Sequence, residues 1–309
     1  MSVLSEYVWM DGQFVPFNEA QVPIMTHTLH YGYGVFEGIR AYERSDGSSH
    51  IFRLHEHTER LFESAKILGL EIAHSEDEIS QACVDTLKKN QFKSGYLRPL
   101  VYLGSEAMGL GALSNTVHVA IAAWKWGAYL GDEGLKHGIR AKISSFNRLH
   151  VNSNMVKGKI CGQYVNSVIA KREVMLAGYQ EAIMLDAQGY VTECTGENLF
   201  MVKRGVIYTA PYGASILGGI TRSTLMQIAA DLGYRVVERL FTRDELYTAD
   251  EIFLCGTAAE VTPVREVDDR VVGDGTPGPI CSSIAERFFG VVKGQVDDHP
   301  EWRLEYTLD

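Results

Sequence analysis

Two lysines two residues apart, Lys157 and Lys159 in MVKGKICGQY, are candidates for chemistry, since a buried lysine can serve as a base or an amine nucleophile. On a strand both side chains would share a face. On a helix they would lie roughly 200° apart, so local geometry does not choose between them, and each also reads as an ordinary solvated charge. ECTGENLF brings two acids, Glu193 and Glu197, to the end of a hairpin, where a carboxylate is either a loop charge or a buried acid paired with a protonated ring nitrogen. LGGITRSTLMQIA sets Gly218 and Gly219 before a helix whose first-turn N–H groups, at Ile220 and Thr221, can hold a phosphate. An ordinary capped helix has the same pattern. GTAAEVTPV follows the apolar strand EIFLC and supplies small residues where backbone amides can approach a ligand, though a plain loop would look similar. HYGYGVFEG contains Gly32, Gly34 and Gly38 but lacks the G-x-G-x-x-G spacing and any G-K-[ST], so a nucleotide loop is unsupported. His55 and His57 flank Glu56 at a spacing where helical side chains diverge, and they read as solvated or capping residues rather than metal ligands.

The elements that must position these residues are hairpins and amphipathic helices. YVWMDGQFV alternates around an Asp11-Gly12 turn, AIMLDAQGYVTE turns at Ala187-Gln188-Gly189, and NLFMVKRGVIYT turns near Arg204-Gly205. In LHEHTERLFESAKILGL the stripe Leu54, Leu61, Phe62, Ala65 and Leu68 predicts a helix, and TRSTLMQIAADLGY and the segment after Gln163 show similar spacing. Without a regular βαβ alternation the chain reads as α+β, and the glycine-rich break GAYLGDEGLKHG marks a domain boundary.

The chain has 309 residues, 46% of them apolar, which suffices for one large or two ordinary domains. Its five cysteines are scattered without zinc-type spacing, which suits free thiols in a reducing cytoplasm. The longest apolar run, around VAIAAW, is too short to span a bilayer, and no leader-like N-terminus is visible. A formal charge of −10 with no basic cluster disfavours nucleic acid as a partner and favours small molecules.

Taken together, Glu193 with Thr195, Asn198-Leu199-Phe200, Ile207-Tyr208-Thr209 and Leu217-Gly218-Gly219-Ile220-Thr221-Arg222 resemble the signature of the class IV pyridoxal-phosphate aminotransferases. HYGYGVFEGIRAY, RLFESAKIL, GYLRPLVY, AAWKWGAYLG and GTAAEVTPV further resemble the branched-chain amino acid aminotransferases of that group, over about Tyr7 to Phe289. D-amino acid aminotransferases and aminodeoxychorismate lyases share the fold and cofactor motif but do not usually carry the YLRPL and WGAYLG pair. The resemblance implies an α+β, two-domain, fold type IV enzyme, like the D-amino acid aminotransferases. A smaller N-terminal α/β domain would span residues 1–130, a larger C-terminal domain with a barrel-like sheet residues 131–309, and the active site would lie between them.

The resemblance also implies residue roles. Lys159, five residues before Tyr164, would hold pyridoxal 5′-phosphate as a Schiff base, leaving Lys157 as a dispensable surface or structural charge. Glu193 would keep the pyridine nitrogen protonated, Tyr164 would hydrogen-bond the phenolate oxygen, and Arg60 would bind the phosphate with the amides of Ile220, Thr221 and Thr257. Leu217 and Gly219 complete the cofactor loop. Tyr96 with the Thr257-Ala258 amides would hold the substrate α-carboxylate, Arg98 would meet the distal carboxylate of glutamate, and Tyr31, Phe36, Leu110, Trp126 and Tyr129 would wall the pocket. Tyr31 and Leu110 would lie near a partner's active site, implying a homodimer or a higher homo-oligomer, a hexamer included. The implied activity is reversible ping-pong transfer of the amino group of L-leucine, L-isoleucine or L-valine to 2-oxoglutarate. Two other readings are a D-amino acid or amine transaminase of the same fold and a non-catalytic scaffold that binds the cofactor or phosphate. The intact lysine, glutamate and phosphate residues argue against the second.

Overall fold

The computed structural model describes residues 5–112, 114–127 and 129–308, so Ala128 of the WGAYLG motif lies outside the described residues. The chain forms two compact units: Met1–Trp126 with Gly158–Gly162 and Val291–Asp309, and Gly127–Lys157 with Gln163–Gly290. The chain thus passes between the units more than once, where one boundary near 130 was expected.

The first unit is built on an eight-stranded antiparallel sheet. Its order is Arg303–Tyr306, Ser49–Phe52, Ile39–Glu43, Gly95–Leu103, Val117–Trp124, Tyr7–Met10 and Gln13–Pro16, with Gly34–Phe36 also paired to Gly95–Leu103. The first hairpin turns where expected, with both Asp11 and Gly12 at positive φ (46° and 93°), the pairing that matches the twist of the flanking strands. Helices Leu54–Leu68 and Glu76–Lys89 belong to the same unit. The first buries Leu54, Leu61, Ala65 and Leu68 in the core and, unexpectedly, also His57, Thr58 and Ser64. Three polar side chains on a core-facing stripe require partners there.

In the second unit, six strands close into a ring: Val191–Cys194, Glu181–Leu185, Ile139–Ile143, Glu260–Val267, Glu251–Gly256 and Asn198–Lys203, which pairs back to the first through Glu193 and Asn198. Ring closure gives the barrel-like sheet and leaves the two acid-bearing strands no free edge. Both hairpins expected here form, the second turning at Arg204 and Gly205, each at positive φ. Helix Ile220–Asp231 follows the Gly218-Gly219 pair, as the sequence predicts. Helix Tyr164–Leu176 also forms, burying Ser167, Ala170 and Val174 but exposing Val165, Val168, Ile169, Met175 and Leu176, so most of its apolar residues face away from the core of this unit.

Candidate active site

In the first unit, the segment carrying Lys159 is fixed through its main chain. The Lys159 N–H donates to Ser64 Oγ at 3.0 Å, and the Phe36 N–H donates to the Lys159 carbonyl at 3.0 Å. Ile160 bridges Val35, and the Gly162 N–H donates to Gly32 O at 3.0 Å. Gly32 sits at φ 65°, where a Cβ would lie 2.6 Å from Gly162 Cα, so two backbones meet at a point no side chain could share. Ser64, one of the buried polar residues of its helix, thus finds its partner in the lysine segment. The Lys159 side chain is half-buried, its Nζ 5.1 Å from the centre of the Phe36 ring.

Glu37, with no exposed surface, accepts from Arg60 Nε at 2.6 Å and Arg60 Nη2 at 3.0 Å, and its Oε2 lies 2.7 Å from His57 Nδ1. Burial alone would raise the Glu37 carboxyl, but Arg60 and His57 together hold it well below the usual carboxylate range. Burial likewise pushes His57 down, against the pull of Glu37. His57 is therefore neither solvated nor a cap, as its sequence position suggested; it is a buried partner of an acid 20 residues away. Glu37 escapes a sequence reading because nothing local in GVFEG distinguishes a buried acid from an exposed one. Through it Arg60 is aimed rather than left on a solvated face.

Tyr96 and Arg98 alternate along Gly95–Leu103 and so share a face. The Arg98 guanidinium stands 4.6 Å from the Phe36 ring centre, 5.8 Å from that of Tyr96 and 5.5 Å from that of Trp124, while its Nε is buried without an acceptor. Trp124 was missed in sequence; its register opposite Tyr96 carries it into the cage. Trp126 packs edge-on to Tyr96 at 4.8 Å, and its carbonyl accepts from Arg40 Nη2 at 3.2 Å. Gly38 makes this possible, since a Cβ there would come within 1.9 Å of the Tyr96 hydroxyl. Phe36, Tyr96, Arg98, Trp126 and Lys159 are thus linked contact by contact. Tyr31 and Leu110 are not part of this group: they are 43% and 85% exposed, and the Tyr31 ring lies tilted against those of His27 at 4.7 Å and His30 at 6.3 Å.

In the second unit, Glu193 is the node. Its Oε1 accepts from Arg148 Nε at 2.8 Å, and its Oε2 accepts from Asn198 Nδ2 at 3.1 Å and from the Leu217 N–H at 3.0 Å. Asn198 also donates to the Leu217 carbonyl at 3.0 Å, joining the acid to the loop that enters helix Ile220–Asp231. Gly219 caps that helix and lies so close to Asn198 that a Cβ would sit 2.0 Å from Asn198 Oδ1. Ile220 and Thr221 open the helix, where the dipole of the first turn favours an anion. Thr257 and Ala258 follow strand Glu251–Gly256, whose Cys255 is registered against Asn198. Tyr164 and Tyr129 line an open cavity of about 560 Å³ with Lys171, Thr195 and Gly196. Asn198 stood in the family pattern without a role and Arg148 was not singled out; its bond to Glu193 reveals it.

Lys157, expected to be a surface or structural charge, is structural. Its Nζ donates to the carbonyls of Tyr212, Ala214 (3.0 Å) and Ile216 (2.8 Å).

Glu197, left open in sequence as a loop charge or a buried acid, is buried. It accepts from the Gly196 N–H at 3.1 Å. Burial, then the charge of Glu181, pushes its carboxyl up to about 8, against the pull of Lys171, which is paired with Glu181. Between the unfolded value of 4.5 and about 8, the unfolded chain releases a proton that the folded chain keeps, so this group costs stability increasingly as pH rises through that window. Glu197→Gln should therefore gain in melting temperature over the parent as pH rises from 5 to 8. Melting curves at both pH values test this, and a difference independent of pH would refute it.

A family model, amino-transferase class IV, matches residues 34–267, which include both clusters. The chain belongs to the class IV amino-transferases. This class IV aminotransferase is 50% identical over 296 residues to the branched-chain-amino-acid aminotransferase of Pseudomonas aeruginosa, covering 96% of each chain. Among solved structures, that of the Escherichia coli branched-chain amino acid aminotransferase superposes with a TM-score of 0.95 at 43% identity, covering 99% of this chain and 100% of the other. The branched-chain amino acid aminotransferase from Thermobaculum terrenum, solved in its PLP form, superposes with a TM-score of 0.91 at 32% identity, covering 98% of each chain.

Proposed function

We propose that this class IV aminotransferase transfers the amino group of L-leucine, L-isoleucine or L-valine to 2-oxoglutarate, with pyridoxal 5′-phosphate as cofactor and Lys159 as the catalytic amine. It is a branched-chain amino acid transaminase, and the observation that carries this is its near full-length likeness to branched-chain enzymes. The residues present fit the cofactor. Glu193 is a buried carboxylate fixed by Arg148, Asn198 and the Leu217 N–H, the kind of group that would keep a proton on a pyridine nitrogen.

When bound, the cofactor supplies a cationic ring that draws electrons from the carbon losing its proton. Glu193 holds the proton on the ring nitrogen, with Arg148 and Asn198 keeping its oxygens in place. Arg60 and the amides of Ile220, Thr221 and Thr257 bind the phosphate, Leu217 and Gly219 shaping the turn beside them, and Tyr164 donates to the phenolate oxygen. Lys159 would act as the base that takes up and carries the proton leaving the substrate Cα. Tyr96 and the amides of Thr257 and Ala258 hold the α-carboxylate. Arg98, set among three rings, offers a charge inside an aromatic wall, which suits a site that must take both a branched apolar side chain and the second carboxylate of glutamate. Phe36, Trp126 and Tyr129 wall the substrate.

A homodimer or larger homo-oligomer is supported by exposed Tyr31 and Leu110 and by the uncovered apolar face of helix Tyr164–Leu176. Among the described residues no helix is long and apolar enough to cross a membrane. A cytoplasmic setting suits five unpaired cysteines. The deciding experiment is a visible absorption spectrum of the cofactor-loaded protein before and after L-leucine, with the 2-oxo acid assayed in the presence of 2-oxoglutarate. The spectrum should shift with L-leucine and not with D-alanine; the reverse pattern would make the protein a D-amino acid enzyme.

A further inference from the structure

We infer that Lys157 is a positioning residue: by gathering three carbonyls of the loop 211–216 around one ammonium, it sets the shape of the turn that receives the cofactor phosphate. This rests on the assignment of that phosphate to the start of helix Ile220–Asp231.

An ammonium has three N–H donors, and the carbonyls of Tyr212, Ala214 and Ile216 take one each. The same Nζ stands 4.4 Å from the centre of the Tyr212 ring. Carbonyl oxygens converging on one point repel each other unless a cation lies among them, so the loop owes this bend to the charge. Its own backbone bonds are few: the Ala214 N–H donates to Pro211 O at 2.9 Å and the Ile216 N–H to Ala214 O at 2.8 Å.

The bend matters because of the three residues that come directly after it. Leu217, adjacent to the last capped carbonyl, donates its N–H to Glu193. Gly218 rests on the Tyr212 ring, where a Cβ would lie 2.9 Å from the ring edge, and Gly219 packs on Asn198. An opened loop would therefore move the helix start and withdraw a donor from Glu193 together. Partial burial lowers the Lys157 pKa, with the Glu193 charge opposing it, as expected of a half-buried ammonium near that acid. No side chain but lysine combines the charge with three donors splayed from one atom; arginine places its donors in a planar fork.

The test compares the holoenzyme with Lys157→Met, Lys157→Arg and Gly219→Ala. Pyridoxal 5′-phosphate affinity is measured by titration, and melting temperature is measured with and without the cofactor. Lys157→Met should weaken cofactor affinity about tenfold or more, shrink the rise in melting temperature that the cofactor produces, and recover turnover when cofactor is in excess. An equal drop in both melting temperatures with unchanged affinity would overturn the inference. Should Lys157→Met fail to fold, Lys157→Arg decides, with weakened affinity expected and parental affinity refuting. Gly219→Ala drives a Cβ into the Asn198 side chain and so displaces the helix start directly. If it leaves affinity intact, the phosphate assignment itself is wrong; if it weakens binding while the Lys157 variants do not, only the present inference falls.

Discussion

Lys159→Ala should reduce transamination by at least about 10⁴-fold, because one side chain is asked both to hold the cofactor and to carry the proton between two carbons. The loss should be chemical and not a failure to fold. The segment is anchored by main-chain bonds to Ser64, Phe36 and Gly32 and by the Val35–Ile160 bridge, all of which survive truncation of the side chain. The variant should therefore melt close to the cofactor-free parent, and excess cofactor should not restore turnover, which separates it from Lys157→Met. Borohydride treatment of the parent should leave the cofactor's mass on the peptide MVKGKICGQY at Lys159. Near-normal turnover in Lys159→Ala, alongside irreversible loss in Lys157→Met, would invert the assignment of the two lysines.

Glu37→Gln is expected to be the most damaging substitution for stability. It leaves Arg60 without its anionic partner and turns an amide N–H toward one of its donors, at a position with no exposed surface. Breaking a buried pair of this kind costs about 3–5 kcal/mol, roughly 10 °C in melting temperature for a protein of this size. Acid should reproduce the effect in the parent. His57 is held below its ordinary value of 6.5, so as pH falls beneath 6.5 the unfolded chain takes up a proton that the folded chain refuses, and stability declines. Glu37 is held below its ordinary value of 4.5, so its stabilising contribution is complete above 4.5 and is lost as pH drops further toward its folded value. The two act in the same direction. The stability of the parent, measured by melting, should fall from pH 6 to pH 4. A parent stability that stays constant over that range would refute this reading of the Glu37–His57 pair.

The helices and hairpins were legible because their patterns are local: the Asp11-Gly12 and Arg204-Gly205 turns and the Leu54–Leu68 stripe depend on neighbours a few residues apart. The groups proposed to react were suggested only by a family pattern, which carries long-range information that no single segment contains. What stayed hidden is what depends on distant partners. Glu37 needs His57 and Arg60, Glu193 needs Arg148, and Trp124 enters the Arg98 cage through its register with Tyr96. Lys157 is the plainest case, since its partners are carbonyls that every residue possesses, and such a contact leaves no trace in residue type. The return of Gly158–Gly162 to the first unit was equally invisible, because it is a matter of main-chain pairing with Gly32, Val35 and Phe36.

One strand of the first unit, Arg303–Tyr306, pairs with Ser49–Phe52, and Tyr306 locks in place by donating its hydroxyl to the Phe92 carbonyl at 2.7 Å. On the ribosome this sheet must therefore wait. Its other strands emerge early, yet the one that covers Ser49–Phe52 leaves the exit tunnel only after the whole six-strand ring has been synthesised. The ring, whose strands all lie between residues 139 and 267, can close while translation continues. The unit that begins first is thus completed last, the outer edge of Ser49–Phe52 left without its neighbour in the interval.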